Sequence, residues 1–206
     1  MTDLFLATTN PRKVADFARL GLDIPFQQAA DGREADGTIH DIVIEKARRE
    51  STGAVVEDTC LYVDGFPEVG NRIKYEEHRI PSMIGKRALW VCGIAVRLES
   101  RINIYVGRVP GIIVQPEGAF SPGPLSDPQD FVNFFRPDGA FQTYSEMLQN
   151  DLGGKDTISA YYSARGRALR KYFADDFEFS VPPRGHWRGL WQDETPTKPQ
   201  EGNVGA

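Results

Sequence analysis

Apolar residues follow two rhythms along this chain. Short unbroken apolar runs read as buried strands, and longer stretches with apolar positions three and four apart read as helices. Leu4-Phe5-Leu6-Ala7 is the first run. The polar turn Thr8-Thr9-Asn10 separates it from a helical stretch over 11–20, where Asn10 suits the N-cap and Pro11 the first helical position. Residues 24–28 are a second strand candidate. Over 39–52, Ile39, Ile42, Val43 and Ala47 keep near-helical spacing with Lys46, Arg48 and Arg49 toward the end, and Gly53 stops the helix. Residues 54–56 then read as a short strand opening on Glu57-Asp58-Thr59. Stretches 89–98 and 102–109 form a hairpin, with 112–114 a third strand. The Pro-, Gly- and Ser-rich stretch 120–128 is a loop, while 141–150 and 158–173 are helical. The pattern sums to one mixed α/β domain over residues 1–180. A Pro- and Gly-rich tail follows over 181–206, holding Trp187 and Trp191, and its last part reads as disordered.

Length and composition narrow the function. A chain of 206 residues, 40% hydrophobic and 26% charged, is an ordinary single globular domain. No apolar run approaches the ~20 residues of a membrane helix, so no membrane partner is expected. The first residues show no export signal, which points to the cytoplasm or a similar reducing compartment. Two cysteines, Cys60 and Cys92, cannot build a disulfide framework or a cysteine zinc site. The net charge of −5 disfavours nucleic-acid binding, which rests on a basic surface. It leaves room for a small anion in a locally basic pocket.

Candidate chemistry gathers around the first turn and the acids. A strand, a polar turn and a helix N-terminus in that order bring free backbone N–H groups and a positive dipole end together, with Lys13 able to add a full charge. The same residues also read simply as a well-capped helix. Asp58 closes a buried strand, and Glu34 lies in the polar loop 31–37. Two carboxylates from separate segments can share a Mg²⁺, which takes oxygen ligands and substrate phosphates. Isolated acids are more often solvated; the company of Lys13, Lys46 and a helix N-terminus favours a site. No GxxxxGK[ST] or GxGxxG motif occurs, and His40, His78 and His186 are not spaced as metal ligands.

Several motifs in order resemble one family. Ala7-Thr8-Thr9-Asn10-Pro11-Arg12-Lys13 is similar to its opening T/S-G-N-x-x-K, with Thr9 in place of glycine and Asp16 where the family usually has Glu. Ile42 to Ala47 resembles I-x-x-K-A, and Val56-Glu57-Asp58-Thr59-Cys60-Leu61-Tyr62-Val63 is close to V-E-D-T/S-G/C-L-x-V. Gly107 to Ile113 with Pro116-Glu117-Gly118, Phe135 to Gly139, Thr143 to Met147 and Arg165 to Leu169 follow in family order. The chain is thereby identified as a divergent member of the Ham1 family, the inosine/xanthosine triphosphate pyrophosphatases.

The resemblance implies an elongated central mixed sheet with flanking helices forming two lobes around a nucleotide cleft. It also implies a homodimer that uses Mg²⁺ to split a purine nucleoside triphosphate into monophosphate and pyrophosphate. By position, Thr8, Thr9, Asn10 and Lys13 cradle the triphosphate and Lys46 neutralises it. Glu34 and Asp58 bind metal, Asp58 activates water, and Thr59 and Lys74 stand beside them. Asp127, Lys155 and Arg165 fall on the base side. There the family pattern is altered: the S-H-R segment reads as split, with Lys155 and Ser159 at its start, and Ala164 replaces the histidine. Family members favour a 6-oxo purine, so changed base recognition is expected. Two other readings are a pyrophosphohydrolase serving a dedicated pathway on a canonical or modified nucleotide, and a nucleotide-binding protein without catalysis.

Overall fold

A long antiparallel hairpin forms the spine of the sheet in the computed structural model, which describes residues 3–30, 32–116, 130–150 and 154–192. In chain order the elements are β1 (Phe5–Ala7), α1 (Pro11–Arg19), β2 (Phe26–Gln27), α2 (Ile39–Arg49), β3 (Ala54–Val63) and a short α3 (Ile73–Glu76). Then come β4 (Arg87–Arg97), β5 (Ile102–Ile113), β6 (Phe135–Pro137), α4 (Tyr144–Asn150), α5 (Lys155–Tyr162), α6 (Ala164–Phe173) and β7 (Phe179–Val181). The strand order is β2-β1-β3-β4-β5-β6, with β7 also pairing on β5. β1 runs parallel to β2 and β3, and the remaining pairs are antiparallel. The expected mixed α/β fold is the one observed.

Both faces of the sheet are covered, which is why its strands read as nearly continuous apolar runs. Side chains alternate between faces along a strand. Val55, Leu61, Trp90, Ile94 and Tyr105 enter one core with Phe17 of α1 and Ala164, Ala168 and Leu169 of α6. Val56, Cys60, Val91, Ala95 and Ile104 enter the other, beneath Ile39, Ile42 and Val43 of α2. Gly107 lets α6 lie directly on β5, since a Cβ there would sit 2.0 Å from the Ala164 carbonyl oxygen.

Four elements depart from the sequence pattern. The strand expected over 54–56 continues to Val63, because Glu57, Asp58 and Thr59 stay in the ladder opposite β4. The strands expected over 102–109 and 112–114 are one, and Pro110 does not interrupt it: its carbonyl accepts from the Asp138 N–H at 2.9 Å. The helix expected over 158–173 is two. Ser163 adopts an extended conformation between α5 and α6 and caps α6, its hydroxyl accepting from the Gly166 N–H at 2.9 Å. Finally, Phe179–Val181 forms β7 on β5, a strand the sequence pattern does not predict, and the chain beyond it reaches back to the Glu34 loop as far as Gln192; residues 193–206 lie outside the described residues.

Candidate active site

An open cleft of about 1170 Å³ lies where β1, the middle of β3 and the start of α6 meet α1, α2 and α3. Thr8, Thr9, Asn10, Lys13, Glu34, Lys46, Asp58, Thr59, Lys74, Lys155 and Arg165 all line it. Asp127, like Glu117, Gly118 and the stretch read as a loop over 120–128, lies outside the described residues.

Strand geometry splits the acidic pair of β3. Glu57 and Asp58 are adjacent, so they face opposite sides of the sheet. Asp58 turns toward α2. There its Oδ2 pairs closely with Lys46 Nζ, and the same ammonium donates to Glu34 Oε1 at 3.1 Å. Lys46 can reach both because the apolar positions of α2 are spent on the sheet, leaving its side chain at the cleft edge. The second oxygen of Glu34 pairs closely with Lys74 Nζ. Burial opposes ionisation of Glu34, but Lys46 and Lys74 outweigh it and hold the carboxyl down to about 2. Burial likewise works against the charge on Lys46, yet Asp58 and Glu34 raise its pKa above the usual lysine value. Asp58 Oδ1 accepts from the Thr59 N–H at 2.7 Å, which fixes the carboxylate plane.

Glu57 turns the other way, into the α1 and α6 side, and its side chain is fully buried. Lys13 Nζ stands 2.6 Å from Oε2. Arg165 donates to Oε1 from Nη2 at 3.1 Å and from Nε at 3.3 Å, and the Thr59 hydroxyl donates at 2.9 Å. Arg165 also pairs closely with Asp16 of α1. Burial would push the Glu57 carboxyl up; Arg165 and Lys13 reverse this and keep it well below the ordinary range. One buried anion thus holds two cations at the cleft wall.

At the start of α1 the backbone donors are taken by local caps. Thr8 Oγ accepts from the Asn10 N–H at 3.1 Å, and Asn10 Oδ1 accepts from the Arg12 N–H at 2.9 Å. On the far wall Trp90 packs edge-on against Phe131 and Tyr144, with centroids 5.4 and 5.2 Å apart. Lys155 lines the cleft nearby, its carbonyl accepting from Arg19 at 3.5 Å. Ser163 lines the cleft two residues before Arg165, whereas Ser159 is buried and bonds Arg19 and Tyr144. Of the segment read as split, Lys155 and Arg165 line the cleft and Ser159 does not.

Glu57 and Asp16 appear in the sequence motifs without a site role, and Arg19 and Ser163 are not singled out at all. Glu57 carried one usable signal, its place beside Asp58 on a strand buried on both faces. Cys60 and Cys92 are buried free thiols. Burial pushes Cys60 up to about 12 and Cys92 well above the usual value, so neither is a thiolate nucleophile. Among the described residues no group of three or more His, Cys, Asp and Glu is placed to hold a metal, and no helix is long and apolar enough to cross a membrane.

Comparison with known proteins bears on this cleft. Residues 4–175 match the model of the Ham1 family. The chain is also 28% identical over 163 residues to a dITP/XTP pyrophosphatase of Pyrobaculum aerophilum, a match covering 69% of this chain and 82% of that protein. Pyrophosphatases of the family are generally metal-dependent.

Proposed function

We infer that this chain, which belongs to the Ham1 family, hydrolyses a purine nucleoside triphosphate to nucleoside monophosphate and pyrophosphate with Mg²⁺. The observation that carries this reading is the set Glu34, Asp58 and Lys46, flanked by Lys13 and Lys74, in one cleft beside the N-terminus of α1. The triphosphate's charge calls for such focused cations on a protein of net charge −5.

The residues fit a divalent cation. Two carboxylates already converge on one positive group, the Lys46 ammonium, and the donor set is all oxygen. Two carboxylates with substrate phosphates are the ligands Mg²⁺ typically takes. Glu34 and Asp58 would hold it, and it would supply charge against departing pyrophosphate and polarise water. Asp58 takes the proton of the attacking water as the water oxygen bonds to the α-phosphorus and the bond from that phosphorus to the α–β bridging oxygen breaks, the bridging oxygen leaving with pyrophosphate. Lys46 and Lys13 offset the charge that gathers on the leaving pyrophosphate. Thr8, Thr9 and Asn10 place the phosphate chain, and Thr59 orients Asp58 through its own N–H.

Base selectivity is the part this chain has altered. Ala164 is buried in the core against β5 and gives the cleft no donor, and Arg165 is engaged by Glu57 and Asp16. A site that hydrogen-bonds one group of a base rejects bases lacking it, since its own polar groups go unpaired. With fewer such groups, discrimination between inosine and guanosine nucleotides weakens. The test is kcat/KM for pyrophosphate release from ITP, XTP, dGTP and dATP with Mg²⁺. The expected result is dGTP close behind ITP, with dATP last. A strong preference for ITP and XTP over dGTP refutes altered selectivity, and no release from any nucleotide refutes the enzyme. A homodimer in the cytoplasm accompanies this reading, supported by the family resemblance and the free thiols; sedimentation tests it.

A further inference from the structure

Residues 182–192 lie beyond the part of the chain that the family model matches, yet they end on the loop that carries Glu34. After β7 leaves β5 the segment follows α2. At Gly185 a Cβ would stand 2.9 Å from the Arg48 guanidinium, and at Gly37 a Cβ would meet the Trp187 ring at 2.7 Å. The Trp187 indole N–H donates to the Leu190 carbonyl at 2.7 Å and closes a turn. The chain then pairs antiparallel with the Glu34 loop, Ala35 opposite Trp191. The Asp36 N–H donates to the Leu190 carbonyl, and the Gln192 N–H donates to the Glu34 carbonyl, both at 2.9 Å. Arg72 donates to the Gln192 carbonyl at 3.1 Å. Gln192 is 8% exposed.

We propose that residues 182–192 are a clamp in which the backbone N–H of Gln192 positions Glu34, making Gln192 a positioning residue for the metal ligand. This rests on the reading of Glu34 as a metal-binding carboxylate. The loop around Glu34 has little regular structure of its own. In the ligand-free chain its carboxylate is held by Lys46 and Lys74, and both are cations that a metal ion must compete with. Backbone restraint therefore has to come from elsewhere. Asn71 supplies part of it at the far end, donating to Asp36 Oδ1 at 3.0 Å and the Gly37 carbonyl at 3.1 Å. The bond to the Glu34 residue itself is the one from Gln192. Ordering a residue costs conformational entropy, so a loop fixed in advance binds the ion more tightly than a loose one. Groups that orient metal ligands from behind typically change affinity 10–100-fold when removed.

The experiment uses the full chain and compares Gln192→Pro, which deletes the donor N–H, with Gln192→Ala, which keeps it. Glu34→Gln serves as the reference. Three quantities are read: the Mg²⁺ concentration for half-maximal pyrophosphate release, kcat at saturating Mg²⁺, and hydrogen exchange of the Asp36 amide without metal or nucleotide. For Gln192→Pro the half-maximal Mg²⁺ should rise roughly 10-fold, the low end for such groups. Its kcat should recover at saturating Mg²⁺, and the Asp36 amide should exchange faster. Gln192→Ala, which loses only the long side-chain bond to the Ala35 carbonyl at 3.4 Å, should raise the requirement clearly less than Gln192→Pro, and deleting residues 190–206 should raise it at least as much as Gln192→Pro. An unchanged Mg²⁺ requirement in Gln192→Pro, with a raised one in Glu34→Gln, overturns the clamp alone. A kcat lost at every Mg²⁺ concentration also overturns it, because that marks a merely structural role. An unchanged requirement in Glu34→Gln removes the metal reading of Glu34, and the clamp with it.

Discussion

Replacing Glu57 with glutamine is the sharpest test of the site's electrostatics. The side chain is fully buried and meets Lys13 at 2.6 Å and Arg165 at 3.1 and 3.3 Å. Glutamine keeps the shape and one neutral acceptor, which can still receive Arg165 and the Thr59 hydroxyl. At the other position it sets an NH₂ against the Lys13 ammonium. Removing one partner of a buried ion pair typically costs about 3–5 kcal/mol, and the retained acceptor places Glu57→Gln near the low end, about 3 kcal/mol. For a chain of this size that lowers Tm by roughly 6–12 °C. Glu57→Met, which keeps no acceptor, should cost more. The loss also has a pH signature. The folded carboxyl lies below its ordinary value of 4.5, so the stabilisation is full above about 4.5. It is lost as pH falls from there toward the folded pKa, because the unfolded chain takes up the proton first. Urea unfolding of wild type and variant at pH 7 and at successively lower pH measures both features. A loss under about 1 kcal/mol at pH 7, or a difference that does not shrink in acid, refutes the assignment of Glu57 as the buried anchor.

Asp58→Asn should cut turnover by at least about 10²–10⁴-fold, the usual contribution of a general base, with urea unfolding little changed because Glu34 still pairs with Lys46. Near wild-type turnover removes Asp58 from the chemistry. Lys13→Ala and Lys46→Ala should each weaken triphosphate binding by about 1.5–3 kcal/mol in calorimetry, with smaller effects on a monophosphate; normal binding in both places the phosphates elsewhere. Gly107→Ala should destabilise the fold by about 3 kcal/mol in urea, because the new Cβ meets backbone atoms of α6 at 2.0 and 2.5 Å. A neutral result would mean that α6 does not rest on β5 as described.

The fold was legible wherever a local rule and the tertiary structure agree. Asn10 and Pro11 announce α1, because capping is decided within one turn, and the spacing of Ile39, Ile42, Val43 and Ala47 announces α2; the capping box of Thr38 and Asp41 was an equally local signal that went unread. Strand lengths were not legible. Glu57-Asp58-Thr59 reads as the end of a strand on polarity, and it stays in the ladder only because Lys13, Arg165 and Lys46 neutralise it from distant parts of the chain. The break at Ser163 was hidden for a different reason. The flanking stretches are both helical, and what separates them is a close approach at Gly166, where a Cβ would stand 2.0 Å from the Ser159 carbonyl oxygen. Motif order brought Lys13, Glu34, Lys46 and Asp58 into view. It could not show that Glu57 organises Lys13 and Arg165, since that depends on which face of β3 each acid takes.

The two clusters explain how a net acidic chain keeps so many cations in one cleft. In the ligand-free chain Lys46 and Lys74 are matched to Glu34 and Asp58, and Lys13 and Arg165 to Glu57 and Asp16. The partners differ in one respect. Glu34 and Asp58 are partly exposed at the cleft surface, whereas the Glu57 side chain is fully buried, its Oε1 hydrogen-bonded by Arg165 and Thr59 and its Oε2 ion-paired with Lys13. The Lys46 pairs are therefore open to exchange, and the Glu57 pairs are fixed. An anionic substrate gains the difference between its own contact with Lys46 and the carboxylate contact it replaces, not the full value of a bare charge. That difference is smallest at Lys46 unless another cation takes over its two carboxylates. A site built this way should bind triphosphate and metal better together than either one alone, which calorimetry of triphosphate with and without Mg²⁺ tests.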